Sequence, residues 1–199
     1  MKSLKKLEKI PKLEEDEYED VSEDNNNFYS VIIDDHTEYI LFLDQNLNNE
    51  KDFRRFYIAH IEATAKDTIR IVMNSAGGKL GIFSQIANCL LNTKAKTIAE
   101  IYVASSAASF LALLCDEIKP MQFSLMMIHS LSSEIEGKLY DMKKEIESLN
   151  LRNNALINIV NSFLYEDEIE KFLKGEEFWF VEDGIKERLK NWTPYRKRN

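Results

Sequence analysis

The chain is poor in the residues from which closed chemical sites are most often built. Its 199 residues include two cysteines and three histidines. Cys89 and Cys115 both fall in apolar helical patterns, so they read as reduced core residues and not as a disulfide framework. No Cys/His spacing matches a zinc site, and no metal is expected. Gly77-Gly78 is not followed by Gly-Lys-Ser/Thr at phosphate-loop spacing, and a dinucleotide fingerprint is missing too, so no nucleotide or other organic cofactor is expected. No apolar run approaches the length of a membrane span. The basic N-terminus, Met1–Lys6, lacks the apolar segment of a secretory signal. A net charge of −8 argues against a general nucleic-acid or membrane binder. The expectation is a soluble protein of the cytoplasm, with no nucleic-acid or membrane partner.

What is present is enough for one ordinary domain with a tail. Residues 1–27 are charged in blocks, basic over Lys2–Lys12 and acidic over Glu14–Asp24, a pattern that usually stays solvated. The folded part is expected over 28–199. Short strand candidates lie at Tyr29–Ile33, Thr37–Leu43, Ile69–Met73, Thr97–Val103 and Ser124–Ile128. Between them, helical spacing marks Asp52–Ala65, the run that carries Leu80, Phe83, Ile86, Ala87 and Leu90, and Ala107–Cys115. Strands alternating with helices predict an α/β domain with parallel pairing. In such sheets functional groups gather at the carboxyl ends of the strands.

Three stretches sit just past predicted strand ends: Asn74-Ser75-Ala76-Gly77-Gly78, Ala104-Ser105-Ser106-Ala107-Ala108-Ser109, and Met127-Ile128-His129. A small-residue turn from a strand into an apolar helix presents a serine where backbone N–H groups are unpaired, which suits a nucleophile. The same composition also serves close backbone packing. Paired glycines after a strand bring N–H groups close to a ligand, or simply make a tight turn. His129 ends an apolar strand, as a core histidine does, and as a general base on a rigid element does. His36 reads as a turn residue and His60 as a packing or surface residue.

Taken in order, these three stretches resemble the ClpP peptidase family, with phage-type and self-compartmentalising relatives the most similar, over about residues 28–190. The resemblance implies the crotonase-like α/β fold, built from repeated β-β-α units with a long protruding handle helix. It implies a Ser-His-acid serine endopeptidase acting on unfolded polypeptide. Ser106 matches the nucleophile, with Ser105 and Ser109 as competitors, and His129 matches the general base. Gly78 and Ala107 match the backbone donors of the oxyanion hole. The family places an Asp two residues before an aromatic. Here Glu176 precedes Phe178 in that way, and Glu177 precedes Trp179. Glu176 is the match, Glu177 its close alternative, and Asp167 and Asp183 are lesser stand-ins. Ala76, Tyr102 and Ala108 depart from the family pattern, the last two at positions where Gly is common.

Ser132 to about Tyr165 is expected as one long helix, with an apolar stripe from Leu139 to Phe163. By resemblance it is the handle on which two rings stack. The implied partners are copies of the chain itself, in a heptameric ring stacked as a tetradecamer, and an AAA+ unfoldase ATPase. Three other readings stand beside this one: a catalytically impaired ring subunit, a phage head-maturation protease working in the host cytoplasm, and an enzyme of acyl thioesters. The C-terminal Trp192–Asn199 is expected as a solvated tail, with a docking strip as its alternative.

Overall fold

The computed structural model describes residues 27–132 and 136–197. The expected tail over residues 1–27 lies almost wholly outside them. Six strands form one sheet in sequence order: β1 (Phe28–Ile33), β2 (His36–Leu43), β3 (Thr68–Ser75), β4 (Lys96–Ser105), β5 (Glu117–Ile128) and β6 (Phe178–Val181). The β1–β2 hairpin turns through Asp34-Asp35, with Asp34 at φ 54°. β2, β3, β4 and β5 run parallel, and β6 closes the edge antiparallel to β5. The helices α1 (Arg54–Glu62), α2 (Leu80–Asn92) and α3 (Ala107–Leu114) connect successive parallel strands. This is the α/β architecture expected from the alternation.

The core lies between the sheet and these helices. Ile69, Ile71 and Met73 of β3 and Ala99 and Ile101 of β4 alternate onto the buried face. All eight residues of α3 are buried, so it reads apolar all round. Burying Phe110, Leu111, Leu113 and Leu114 contributes about 1.5–3 kcal/mol each and fixes where the helix begins. Both cysteines are buried and free.

β5 is longer than the apolar run predicts. Its first half carries Glu117, Lys119 and Pro120, which disguise it. Pro120 pairs with Ile101 of β4, while pairing with β6 starts only at Leu125, so its missing N–H faces an open edge. Between Pro120 and Leu125 the strand bulges, and Phe123 sits there at φ 64°.

The long helix is shorter than expected. α4 spans Leu139–Val160. Gly137 at φ 135° precedes it, and Lys138 is extended. At the other end Phe163 and Leu164 tuck into the core, and α5 (Glu166–Leu173) starts afresh after the extended Tyr165. Residues 133–135 of the expected helix lie outside the described ones. Only Leu156, Ile159 and Val160 of α4 are buried, and Leu139, Ile146 and Leu151 stand exposed. The expected apolar stripe therefore packs on its own domain over its last turn and a half alone.

The C-terminal segment does not run free as far as it is described. After α6 (Glu182–Leu189), Trp192 and Tyr195 pack against the core. Arg196 donates to Asp116 Oδ2 at 3.0 Å and to the Thr93 and Ala95 carbonyls. The expected solvated tail is thus a strap on its own subunit up to Lys197, drawn in by two aromatic rings and one guanidinium.

Candidate active site

Because β3, β4 and β5 are adjacent and parallel, their carboxyl ends open on one edge of the sheet. The turn after β3, the turn after β4 and the residue after β5 meet there. The register thereby brings together three stretches that are far apart in sequence.

The turn after β4 is the sharpest. β4 ends at Ser105, α3 starts at Ala107, and Ser106 alone makes the reversal at φ 54°, ψ −124°. A non-glycine residue at positive φ is strained, and here the strain lifts the side chain clear of both elements. The Ser106 N–H donates to the Met127 carbonyl at 2.9 Å, which pins the turn to β5. Ser106 Oγ lies 2.8 Å from His129 Nε2. Both residues are half-buried, reachable by a ligand yet held by buried neighbours. With the hydroxyl donating, the imidazole takes the tautomer protonated on Nδ1.

The competing serines stand elsewhere. Ser109 is fully buried, and its hydroxyl donates to the Ser106 carbonyl at 2.6 Å. Ser105 is a buried β4 residue paired with Met127. The cysteines are poor rivals as nucleophiles, since burial pushes the Cys89 thiol up to about 11 and Cys115 up to about 12.

The two glycines divide the labour in a way that spacing alone does not reveal. Gly77, at φ 94°, is pressed against the elbow: a Cβ there would stand 2.6 Å from the Ser105 carbonyl oxygen and 2.8 Å from the Ala107 nitrogen. Gly78, at φ 141°, bridges to Leu47, with Leu47 N donating to Gly77 O at 2.7 Å and Lys79 N to Leu47 O at 2.8 Å. In a bridge flanked that way, the N–H of Gly78 itself points away from Leu47. Neither the Gly78 nor the Ala107 N–H meets an acceptor among the described residues. Ala107 is the first residue of α3, where such an open donor is expected. The paired glycines mark a tight turn in the sequence, but the contact of Gly77 with the elbow depends on strand pairing and has no local signal.

The acid side is built differently. Glu176 and Glu177 lie in the exposed turn between α5 and β6. The Glu176 N–H donates to the Lys171 carbonyl, and Glu177 Oε2 accepts from Trp179 Nε1 at 3.3 Å. Among the described residues neither carboxylate makes a hydrogen bond or ion pair with the His129 ring. The register still favours one of them. Ile128 pairs with Phe178, so one further step sets Glu177 across from His129 and Glu176 on the other side of the strand. Asp167 pairs with Lys171 within α5, and Asp183 lies in the first turn of α6. Of the departures, Ala108 is wholly buried in α3, while Tyr102 is exposed at the irregularity in β4. His36 opens β2, and His60 Nδ1 stands 2.5 Å from the Tyr57 carbonyl, both apart from this edge.

Among the described residues no cluster of three His, Cys, Asp or Glu side chains is placed to hold a metal, and no helix is long and apolar enough to cross a membrane. Residues 22–183 match the family described as Clp protease. No curated protein sequence matches the chain.

Proposed function

Since the chain belongs to the Clp protease family, we propose that it is a serine endopeptidase that cleaves unfolded polypeptide, inside a ring of its own copies and fed by a partner ATPase. The observation that carries the reading is the 2.8 Å contact between Ser106 Oγ and His129 Nε2, at an edge where two backbone N–H groups have no acceptor among the described residues.

The steps follow from that arrangement. His129 Nε2 takes the hydroxyl proton as Ser106 Oγ attacks the peptide carbonyl. The Gly78 and Ala107 N–H groups receive the oxyanion, and the positive end of α3 adds to them. His129 then gives its proton to the leaving amine, so an ester on Ser106 remains and the C–N bond is broken. Water, deprotonated by the same nitrogen, attacks the ester and releases the acid. The acid role falls to the Glu176–Glu177 turn. The resemblance in sequence points to Glu176, with Glu177 its close alternative, and the strand register favours Glu177. An exposed carboxylate acting across the strand pair offsets part of the imidazolium charge without fixing the ring. The exposed Leu139, Ile146 and Leu151 on α4 support self-association through that helix.

A second reading is a ring subunit of weak or no activity. The lack of a carboxylate bonded to the His129 ring among the described residues favours it. Incubation with an unfolded protein substrate separates the two. Cleavage by the wild type that Ser106→Ala abolishes supports the peptidase. A folded oligomer with no cleavage supports the scaffold, and cleavage that survives Ser106→Ala contradicts the site.

A further inference from the structure

Among the described residues no carboxylate bonds the His129 ring, so the placing of that ring depends on the backbone that carries it. β5 ends at Ile128, and the Ile128–Phe178 pair is the last of its ladder with β6. Beyond it, the Leu131 N–H donates to Asn153 Oδ1 on α4 at 2.8 Å. A backbone N–H only donates, so the amide oxygen of Asn153 is the atom turned toward it. Leu131 also packs, half-buried, against the core. His129 therefore lies between two anchors: the Ile128 strand pair on one side and a side-chain latch at Leu131 on the other. The nucleophile is tied to the first anchor alone, since the Ser106 N–H donates to the Met127 carbonyl at 2.9 Å. The second anchor sets how the chain leaves the strand past the base.

The sequence of α4 puts Asn153 where an apolar residue is expected. Met142, Leu149, Asn153, Leu156 and Val160 recur at helical spacing, and each is half-buried or buried. The neighbouring Asn154 is exposed. A polar side chain in such a stripe gives up packing and takes an amide out of water, which costs about as much as one hydrogen bond returns. What it adds is register, because its partner stands at a single height along the helix. A slide of α4 by one turn, about 5.4 Å, breaks the bond.

We infer that Asn153 is a positioning residue for the general base: through Leu131 it holds the loop after His129 so that Nε2 stays in reach of Ser106 Oγ. The inference rests on the peptidase reading and adds a residue to it. Asn153 touches no reacting atom. It is uncharged, so it supplies the placing of the ring and none of the stabilisation of the imidazolium.

The test uses Asn153→Leu, Asn153→Asp and Asn154→Ala in the full-length chain, each checked for folding by a urea titration. The readouts are cleavage of a fluorogenic peptide, fluorophosphonate labelling of Ser106 and amide exchange at Leu131. Asn153→Leu removes the acceptor and suits the apolar stripe. It should lower kcat and the labelling rate by about 10- to 100-fold, the cost of a misplacement near 1 Å, with KM unchanged. Exchange at Leu131 should accelerate with it. Asn153→Asp keeps an oxygen in the same place and should retain most of the wild-type kcat. Asn154→Ala should alter none of the three readouts. If Asn153→Leu does not fold, Asn153→Ala carries the same expectation. Wild-type kcat in the variant without an acceptor, equal losses in Asn153→Leu and Asn153→Asp, or unchanged exchange at Leu131 overturns the positioning role and leaves the peptidase reading standing. Neither cleavage nor labelling in the wild type overturns both.

Discussion

The nucleophile side and the acid side of the candidate site are held by different means. Ser106, Gly77, Gly78 and His129 stand at the ends of three parallel, paired strands; backbone contacts hold Ser106 and the two glycines, and His129 directly follows Ile128, the last paired residue of β5. The Glu176–Glu177 turn lies at the sheet edge, is exposed, and is tied by one backbone bond and one indole contact. A side chain at a buried strand end inherits the precision of the sheet, whereas one in an edge turn inherits its freedom. The difference teaches that the two halves need not matter equally to rate.

The sharpest way to break this comparison is at the base. His129→Ala should cut peptide hydrolysis by about 10⁴-fold or more, measured as kcat/KM with the fold checked by circular dichroism. Next comes the elbow. Gly77→Ala forces a Cβ into the Ser105 carbonyl and the Ala107 nitrogen at an unfavourable φ. It should cost roughly 2–4 kcal/mol in denaturant unfolding and abolish activity. Gly81→Ala, with open space above it in α2, should instead stabilise by about 0.5–1 kcal/mol.

The acid side has its own anchor, and it is sensitive to pH. Glu168 on α5 accepts two bonds from Arg188 on α6, at 2.5 and 2.6 Å, and one from the Tyr165 N–H. Burial raises the Glu168 pKa, but those bonds outweigh it and hold the carboxyl below its usual 4.5. A depressed pKa gives stability that is full above the unfolded value and lost as pH falls through the folded one. Amide exchange in α5 and α6 should therefore accelerate below about pH 4.5, and Glu168→Gln should cost about 1–3 kcal/mol at neutral pH and flatten that dependence. The smallest effect sharpens the comparison most. Glu176→Gln and Glu177→Gln should each lower kcat by less than about tenfold, against about 10⁴-fold where an acid holds the histidine by a hydrogen bond. A larger loss at either position would mean that the carboxylate swings onto the ring.

Much of this was legible in the residues because the signals were local. Apolar runs ended by small or polar residues marked β3, β4 and the second half of β5, and three motifs at their ends named Ser106, Gly78 and His129. What stayed hidden depended on pairing. The strand that begins at Glu117 is polar on its way in, and only its ladder with β4 makes it a strand. β6 is four residues long and takes its identity from β5. The contact of Gly77 with the elbow crosses between strands, and the bond from Leu131 N to Asn153 Oδ1 ties α4 to the loop after His129. The C-terminal basic residues read as a tail because nothing local announces that Asp116 waits for Arg196.

The central claim is that one hydroxyl, activated by one imidazole, does the chemistry. Reaction of the folded protein with a fluorophosphonate, followed by peptide mass mapping, tests it most directly. The account predicts one adduct per chain on Ser106, lost in His129→Ala. An unlabelled wild type, or an adduct on Ser105 or Ser109, would contradict it.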